Sequence, residues 1–194
     1  MNRRGIVRVQ MKIKRSCRYL FYAVPVYPNT IFIVDSMTEK ISSRHDQIFD
    51  FLPRSKTVQV GNSLYTISNV DWQLSVIRYS GLNKWLDVVK TPLASIKKDR
   101  VAFVVTNYRA RVLYVTGGCD FDTVQGSVFL FNLNDNKWSE GHPLAQPRYS
   151  HSSCVLSDRL YVFGGRVLSK QPLSSIEILD IQKAEWNIVD IEGL

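Results

Sequence analysis

Leu160-Tyr161-Val162-Phe163-Gly164-Gly165 is a near copy, with one substitution, of Leu113-Tyr114-Val115-Thr116-Gly117-Gly118, 47 residues earlier. A third copy stands at Leu64-Tyr65-Thr66-Ile67-Ser68-Asn69, another 49 residues back, with its glycine pair replaced. A fainter fourth, Leu20-Phe21-Tyr22-Ala23-Val24-Pro25, precedes it by 44. Self-similarity at a spacing of this size marks an array of small structural units, each unable to bury its own hydrophobic face.

The segment after each copy repeats as well. Ser127–Phe131 leads to Trp138 and Ser175–Leu179 to Trp186, with seven residues from the last apolar position to the ring. Ser75–Tyr79 leads to Trp85 at a spacing of six, and Thr30–Val34 leads to Ile41, an aliphatic in the ring's place, at seven. Four copies at this spacing account for essentially all of the 194 residues and leave no room for another domain.

Within a copy every local signal is strand-like. In the last, Tyr149–Leu156, Leu160–Phe163, Ser174–Ile181 and Glu185–Ile191 are separated by turn residues such as Ser157-Asp158 and Gln182–Ala184. Ile176 and Ile178 point one way while Leu179 and Ile181 point the other. Strands apolar on both sides imply a sheet buried on both faces. Four short antiparallel strands per unit, stacked between neighbours, describe a propeller blade. Glycine pairs at a strand end allow backbone geometry closed to residues with a Cβ. A Trp once per unit suits a wedge between blades. Gly117, Gly118, Gly164, Gly165, Tyr114, Tyr161, Trp85, Trp138 and Trp186 are therefore read as fold determinants.

With Gly117-Gly118, Phe131 and Trp138, with Gly164-Gly165, Leu179 and Trp186, and with the Pro147-Arg148 turn, the chain resembles the Kelch-repeat family of β-propellers. The resemblance is strong over 101–194 and weakens towards the N-terminus, where Ser68-Asn69, Val24-Pro25 and Ile41 depart from the pattern. It implies an all-β propeller of about four four-stranded antiparallel blades, approximately 6–53, 54–98, 99–147 and 148–194. Kelch propellers usually have six or seven blades, so four make a small or partial one. An open arc of four would expose a blade face and two sheet edges and would self-associate through them.

The formal charge of +8 comes from 25 Lys and Arg against 17 Asp and Glu. Seven of those bases, Arg3, Arg4, Arg8, Lys12, Lys14, Arg15 and Arg18, precede the first acid, Asp35. Residues 19–194 then hold 18 positive and 17 negative charges, a net of +1. The basicity belongs to a leader, and the near-neutral body argues against nucleic acid as partner. The leader has the composition of a mitochondrial presequence, yet Val7, Val9, Met11 and Ile13 alternate with polar residues, which is the period of an edge strand. A third reading is a basic interaction arm. No window is long and apolar enough for a spanning helix. Cys17, Cys119 and Cys154 are odd in number and lack a C-x-x-C spacing, which favours a reducing compartment, the cytoplasm.

Catalytic signatures are lacking. There is no G-x-S-x-G elbow, Walker loop or G-x-G-x-x-G. His45, His142 and His151 have no metal-ligand spacing, so neither metal nor cofactor is expected. Ser150-His151-Ser152-Ser153-Cys154 reads as a partly buried strand, in which neighbouring side chains point to opposite faces. The expectation is a non-catalytic module that binds a protein partner, as a substrate-recognition or cytoskeletal scaffold. The alternative is an enzyme or metal-dependent specifier protein built on a propeller. The resemblance places partner contacts on the loops after the glycine pairs and on the residues after Pro147-Arg148. Those are Asp120, Phe121 and Asp122; Arg166 and Lys170; and Tyr149 and Ser150, with Trp72 as a further exposed aromatic. Asp120 and Asp122 are either paired carboxylates or an ordinary solvated loop. Arg166 is the leading candidate, because a guanidinium grips a carboxylate with two parallel hydrogen bonds.

Overall fold

The computed structural model describes residues 19–23, 30–35, 37–45, 55–61, 63–70, 73–80, 89–92 and 100–190. The expected leader strand, Trp72 and Trp85 lie outside them. Among the described residues every regular element is a strand, and the strands form four antiparallel sheets. The first holds β1 (Tyr19–Ala23), β2 (Thr30–Asp35) and β3 (Ile41–His45). The second holds β4 (Lys56–Val60), β5 (Ser63–Val70), β6 (Gln73–Ser80) and β7 (Val89–Pro92). The third holds β8 (Val104–Tyr108), β9 (Val112–Thr116), β10 (Val128–Asn132) and β11 (Lys137–Glu140). The fourth holds β12 (Ser152–Leu156), β13 (Arg159–Phe163), β14 (Ser175–Asp180) and β15 (Glu185–Asp190).

Each sheet runs in simple chain order, and the leading strands β4, β8 and β12 touch one another in succession. That is the radial arrangement of a propeller, with β4, β8 and β12 innermost. The hairpins β8–β9 and β12–β13 turn on Arg109-Ala110 and Ser157-Asp158, all four at positive φ. Two left-handed residues in succession match the right-handed twist of the strands they join.

The outer corners carry a second recurring device. Asp35 Oδ1 accepts the Met37 N–H at 2.9 Å, Asn132 Oδ1 the Asn134 N–H at 2.9 Å, and Asp180 Oδ1 the Gln182 N–H at 3.1 Å. Four residues beyond each of these side chains, Glu39, Asn136 and Ala184 adopt positive φ. The first repeat, stripped of its glycines and its Trp, keeps this corner intact. A short side chain that imitates a backbone turn fixes the geometry where the larger sequence motif has decayed.

Alternation sorts the core. Tyr65, Ile67, Leu74 and Val76 of the second sheet pack on Phe103, Leu113, Val115, Phe129 and Phe131 of the third. From its opposite face the third sheet sends Tyr114 and Val128 against Leu160, Val162 and Leu179 of the fourth. Trp138 packs on the first of these clusters and Trp186 on the second. Each Trp thus faces the preceding sheet, and Trp138 meets Phe131 edge-on at 5.1 Å. The fourth sheet departs from burial on both faces. Leu156 and Val189, on the side away from the third sheet, are 64% and 48% exposed, because no described sheet follows.

Candidate partner-binding surface

The turn that leads into a blade decides how its loops are held. Pro147-Arg148 sends the Arg148 side chain into a fully buried site, where Nη2 donates to Glu177 Oε1 at 2.5 Å and to Ser175 Oγ at 3.1 Å. Nη1 donates to the Gly164 carbonyl at 2.9 Å, and Glu177 in turn accepts the N–H groups of Ala145 and Gln146 at 2.7 and 3.0 Å. A charge pair without solvent is tolerated only when its remaining lone pairs and protons are also satisfied, as they are here. The backbone of the same turn reaches the other way: Arg148 C=O accepts the Gly118 N–H at 2.8 Å. One residue therefore ties the glycine pair of the third sheet to that of the fourth.

The third sheet uses the same scaffold with one part exchanged. Arg100, 48 residues before Arg148, hydrogen-bonds Ser127 Oγ, the counterpart of Ser175. Where Glu177 would stand is Phe129, and the Arg100 guanidinium lies 5.0 Å from the centre of its ring. Burial pushes the Arg100 side chain down to about 10.

The loops after the glycines are anchored by this arrangement. Val101 and Cys119 exchange backbone hydrogen bonds at 2.8 and 2.9 Å. Tyr149 and Arg166 do the same at 3.1 and 2.9 Å, and the Ser150 N–H donates to Ala102 C=O between them. A continuous strip of backbone hydrogen bonds joins the two loops side by side at one end of neighbouring blades. Asp120 caps its own loop, accepting the N–H groups of Asp122 at 2.9 Å and Thr123 at 2.6 Å and the Thr123 hydroxyl at 2.8 Å. Asp122 gives only its backbone N–H to this cap, and the residue is exposed. Of the two acids, Asp120 is held by its own loop, and its charge also acts on Arg100. Among the described residues no group of three or more His, Cys, Asp or Glu side chains converges to hold a metal ion.

On these fixed loops the tips are apolar. Phe121 is 84% exposed, and Leu168, the residue 47 positions later on the next blade, is 63% exposed. Arg166 is exposed, but its Nη1 donates to the Lys170 carbonyl at 2.7 Å, which bends the guanidinium over its own loop. Lys170 is exposed and sits at φ 65°. Tyr149 is half-buried; Ser150 is exposed, at φ 53°. The structure thus brings Asp120, Phe121, Asp122, Tyr149, Ser150, Arg166 and Lys170 onto one strip, and adds Leu168. Sequence reading reached the loop that holds Leu168 but not the residue, although its offset from Phe121 equals the repeat spacing.

Behind the strip, His151 is wedged between the two glycine pairs. A Cβ on Gly117 would lie 2.7 Å from His151 Cε1, and one on Gly165 would lie 2.9 Å from His151 Cβ. His151 Nε2 bonds Thr116 Oγ1 at 2.8 Å, while Nδ1 is buried with no hydrogen-bond partner among the described residues. Burial first, and then the positive charges of Arg148 and Lys56, push the imidazole down to about 4. The unfolded chain takes up this proton near pH 6.5 and the folded one only near 4, so stability is complete above about pH 6.5 and falls as pH drops towards 4. The expected loss across that window is about 3 kcal/mol. Urea unfolding of the wild type and His151→Asn at about pH 7.5 and about pH 4.5 checks it: the variant shows the smaller change between the two.

The Kelch motif family matches residues 109–144 and 147–190, the third and fourth repeats. Those two repeats carry the Kelch motif. The chain is 44% identical to Kelch-like protein 21 of Danio rerio over 52 residues, 27% of this chain and 8% of that protein. It is 30% identical to Kelch-like protein 38 of Mus musculus over 116 residues, 57% of this chain and 19% of that one. Beta-scruin of Limulus polyphemus is 33% identical over 87 residues, 41% and 10% of the two chains. The chain therefore spans less than a fifth of these curated relatives. Among solved structures, that of YjhT superposes with a TM-score of 0.63 over 84% of this chain and 52% of its own, at 14% identity. A likeness at that identity concerns the fold, and it confirms a β-propeller for the Kelch repeats. No helix among the described residues is long and apolar enough to cross a membrane.

Proposed function

We propose that the Kelch repeats form a non-catalytic, cytoplasmic protein-interaction module whose partner docks on the strip of loops 119–125 and 166–171. One observation carries the reading: Phe121 and Leu168 hold equivalent positions on adjacent blades and stand 84% and 63% exposed on loops whose backbone is pinned on both sides. A large apolar tip on a rigid, hydrogen-bonded loop buries area on contact at little entropic cost. Interface anchors are side chains of this kind, ringed by polar groups. Here the surrounding groups are Asp122, Arg166 and Lys170, of both signs, which suits a partner surface of mixed charge rather than a polyanion.

The test is capture of partners on the immobilised wild-type chain and on Phe121→Asp/Leu168→Asp, compared quantitatively by mass spectrometry. Both substitutions lie at exposed tips and leave the fold intact. The expected result is a set of proteins depleted about tenfold or more by the double variant, the loss of one or two anchors of about 1.4 kcal/mol each or more. Partners retained equally by both chains overturn the assignment of the surface.

A further inference from the structure

We infer that the loop strip selects a protein partner by charge order, taking an acidic group over the fourth blade's loop and a basic group over the third's. Apolar side chains of the same partner rest on Phe121 and Leu168. This rests on the strip being the docking surface proposed above, and adds which chemistry it takes and which way round.

The two loops are sorted by sign. Residues 119–126 hold Asp120 and Asp122 and no Lys or Arg, whereas residues 166–173 hold Arg166 and Lys170 and no Asp or Glu. Asp122, Arg166 and Lys170 are all exposed. Backbone hydrogen bonds fix the loops in place, Val101 with Cys119 on one blade and Tyr149 with Arg166 on the next. Among the described residues no ion pair ties Asp122 to Arg166 or Lys170. The opposite charges are thus held apart on neighbouring loops instead of neutralising each other.

The groups behind the loops leave this order standing. Arg148 is paired with Glu177 in a fully buried site, so the fourth loop's own two positive charges are what a partner meets. On the third loop the charge of Asp120 acts on the buried Arg100, which leaves Asp122 as the outward negative group. Arg166 gives an Nη1 donor to the Lys170 carbonyl at 2.7 Å, and a guanidinium has further donors for a carboxylate. Phe121 stays 84% exposed with the fourth blade in place, so a tip at this position is not covered by the blade that follows it.

A partner docked in the complementary order meets an opposite charge on each loop. Turned round, it sets acid against Asp122 and base against Arg166 and Lys170, and both ends repel. The apolar tips supply contact area in either orientation, so the charges alone decide between them.

A displayed library of random peptides, selected on the immobilised full chain, tests this. Each enriched peptide is remade with its acidic and basic residues exchanged. Both forms are then measured against the wild type and against Asp122→Lys/Arg166→Glu/Lys170→Glu, with far-UV circular dichroism as the check on folding. The wild type is expected to bind the selected form about tenfold more tightly than the exchanged one, and the triple variant to reverse that preference. Asp122→Lys/Lys170→Glu keeps the Arg166 bond to the loop and is expected to lose the preference, since each loop then carries both signs. Enrichment of no peptide with both signs overturns the inference. So does equal binding of the two forms to the wild type; if Phe121→Asp/Leu168→Asp then abolishes both, the docking surface stands and its charge order does not select. Peptides held equally well by Phe121→Asp/Leu168→Asp overturn the surface as well.

Discussion

Glu177→Leu is expected to lower the unfolding free energy by about 3–5 kcal/mol, the cost of leaving a buried charge without its partner. Arg148 and Glu177 are both fully buried, 2.5 Å apart, and no solvent reaches the guanidinium once the carboxylate is gone. Two further donors, the N–H groups of Ala145 and Gln146, lose their acceptor in the same substitution. Arg148→Met alone is expected to cost a similar amount, because Glu177 is then the orphan. The double variant Arg148→Met/Glu177→Leu is expected to cost clearly less than the sum, since apolar groups of similar volume replace a desolvated pair. Urea denaturation of the four chains completes the cycle, and simple additivity would show that the two charges act independently. In the third sheet the corresponding Arg100 lies over the Phe129 ring and feels the charge of Asp120.

Gly117→Ala and Gly164→Ala alter the same motif position and are expected to differ severalfold. Both glycines sit in the left-handed region, at +56° and +57°, where a Cβ costs about 1–2 kcal/mol. For Gly164 that conformational cost is nearly the whole effect. At Gly117 the new methyl would overlap the Arg148 carbonyl and the His151 ring, neither of which has room to retreat. Overpacking adds about 1–3 kcal/mol, for a total of about 2–5. The comparison is read as two urea midpoints on otherwise identical chains. Equal losses would mean that the fourth blade does not press its leading turn on the third.

The four-sheet array was legible because its signal is written several times. Leu113–Gly118 and Leu160–Gly165 align residue for residue, and the ring positions Trp138 and Trp186 follow at one spacing. The buried Arg148–Glu177 pair was hidden for the opposite reason. Glu177 occurs in one repeat only, its counterpart is Phe129, and alternation along β14 says which face it takes but not that its partner comes from the preceding turn. The Arg-to-Ser offset of 27 residues, common to Arg100–Ser127 and Arg148–Ser175, is the sequence trace that could have revealed it. For the loop strip, position along the chain was readable and side-chain use was not. Arg166 carries the right chemistry for a carboxylate, but the chain's own Lys170 carbonyl takes one of its donors. Asp120 likewise closes its loop rather than facing outward. The apolar tips at Phe121 and Leu168 become a matched pair only when the blades are set side by side.

Whether these tips form the interaction surface is tested most directly by site-specific photocrosslinking. A benzophenone amino acid is placed in turn at Phe121, at Leu168 and at Met37, a residue 77% exposed on the corner of the first sheet. One and the same protein is expected to be captured from Phe121 and from Leu168 and not from Met37. Capture of that protein from Met37, with none from Phe121 or Leu168, would contradict the assignment.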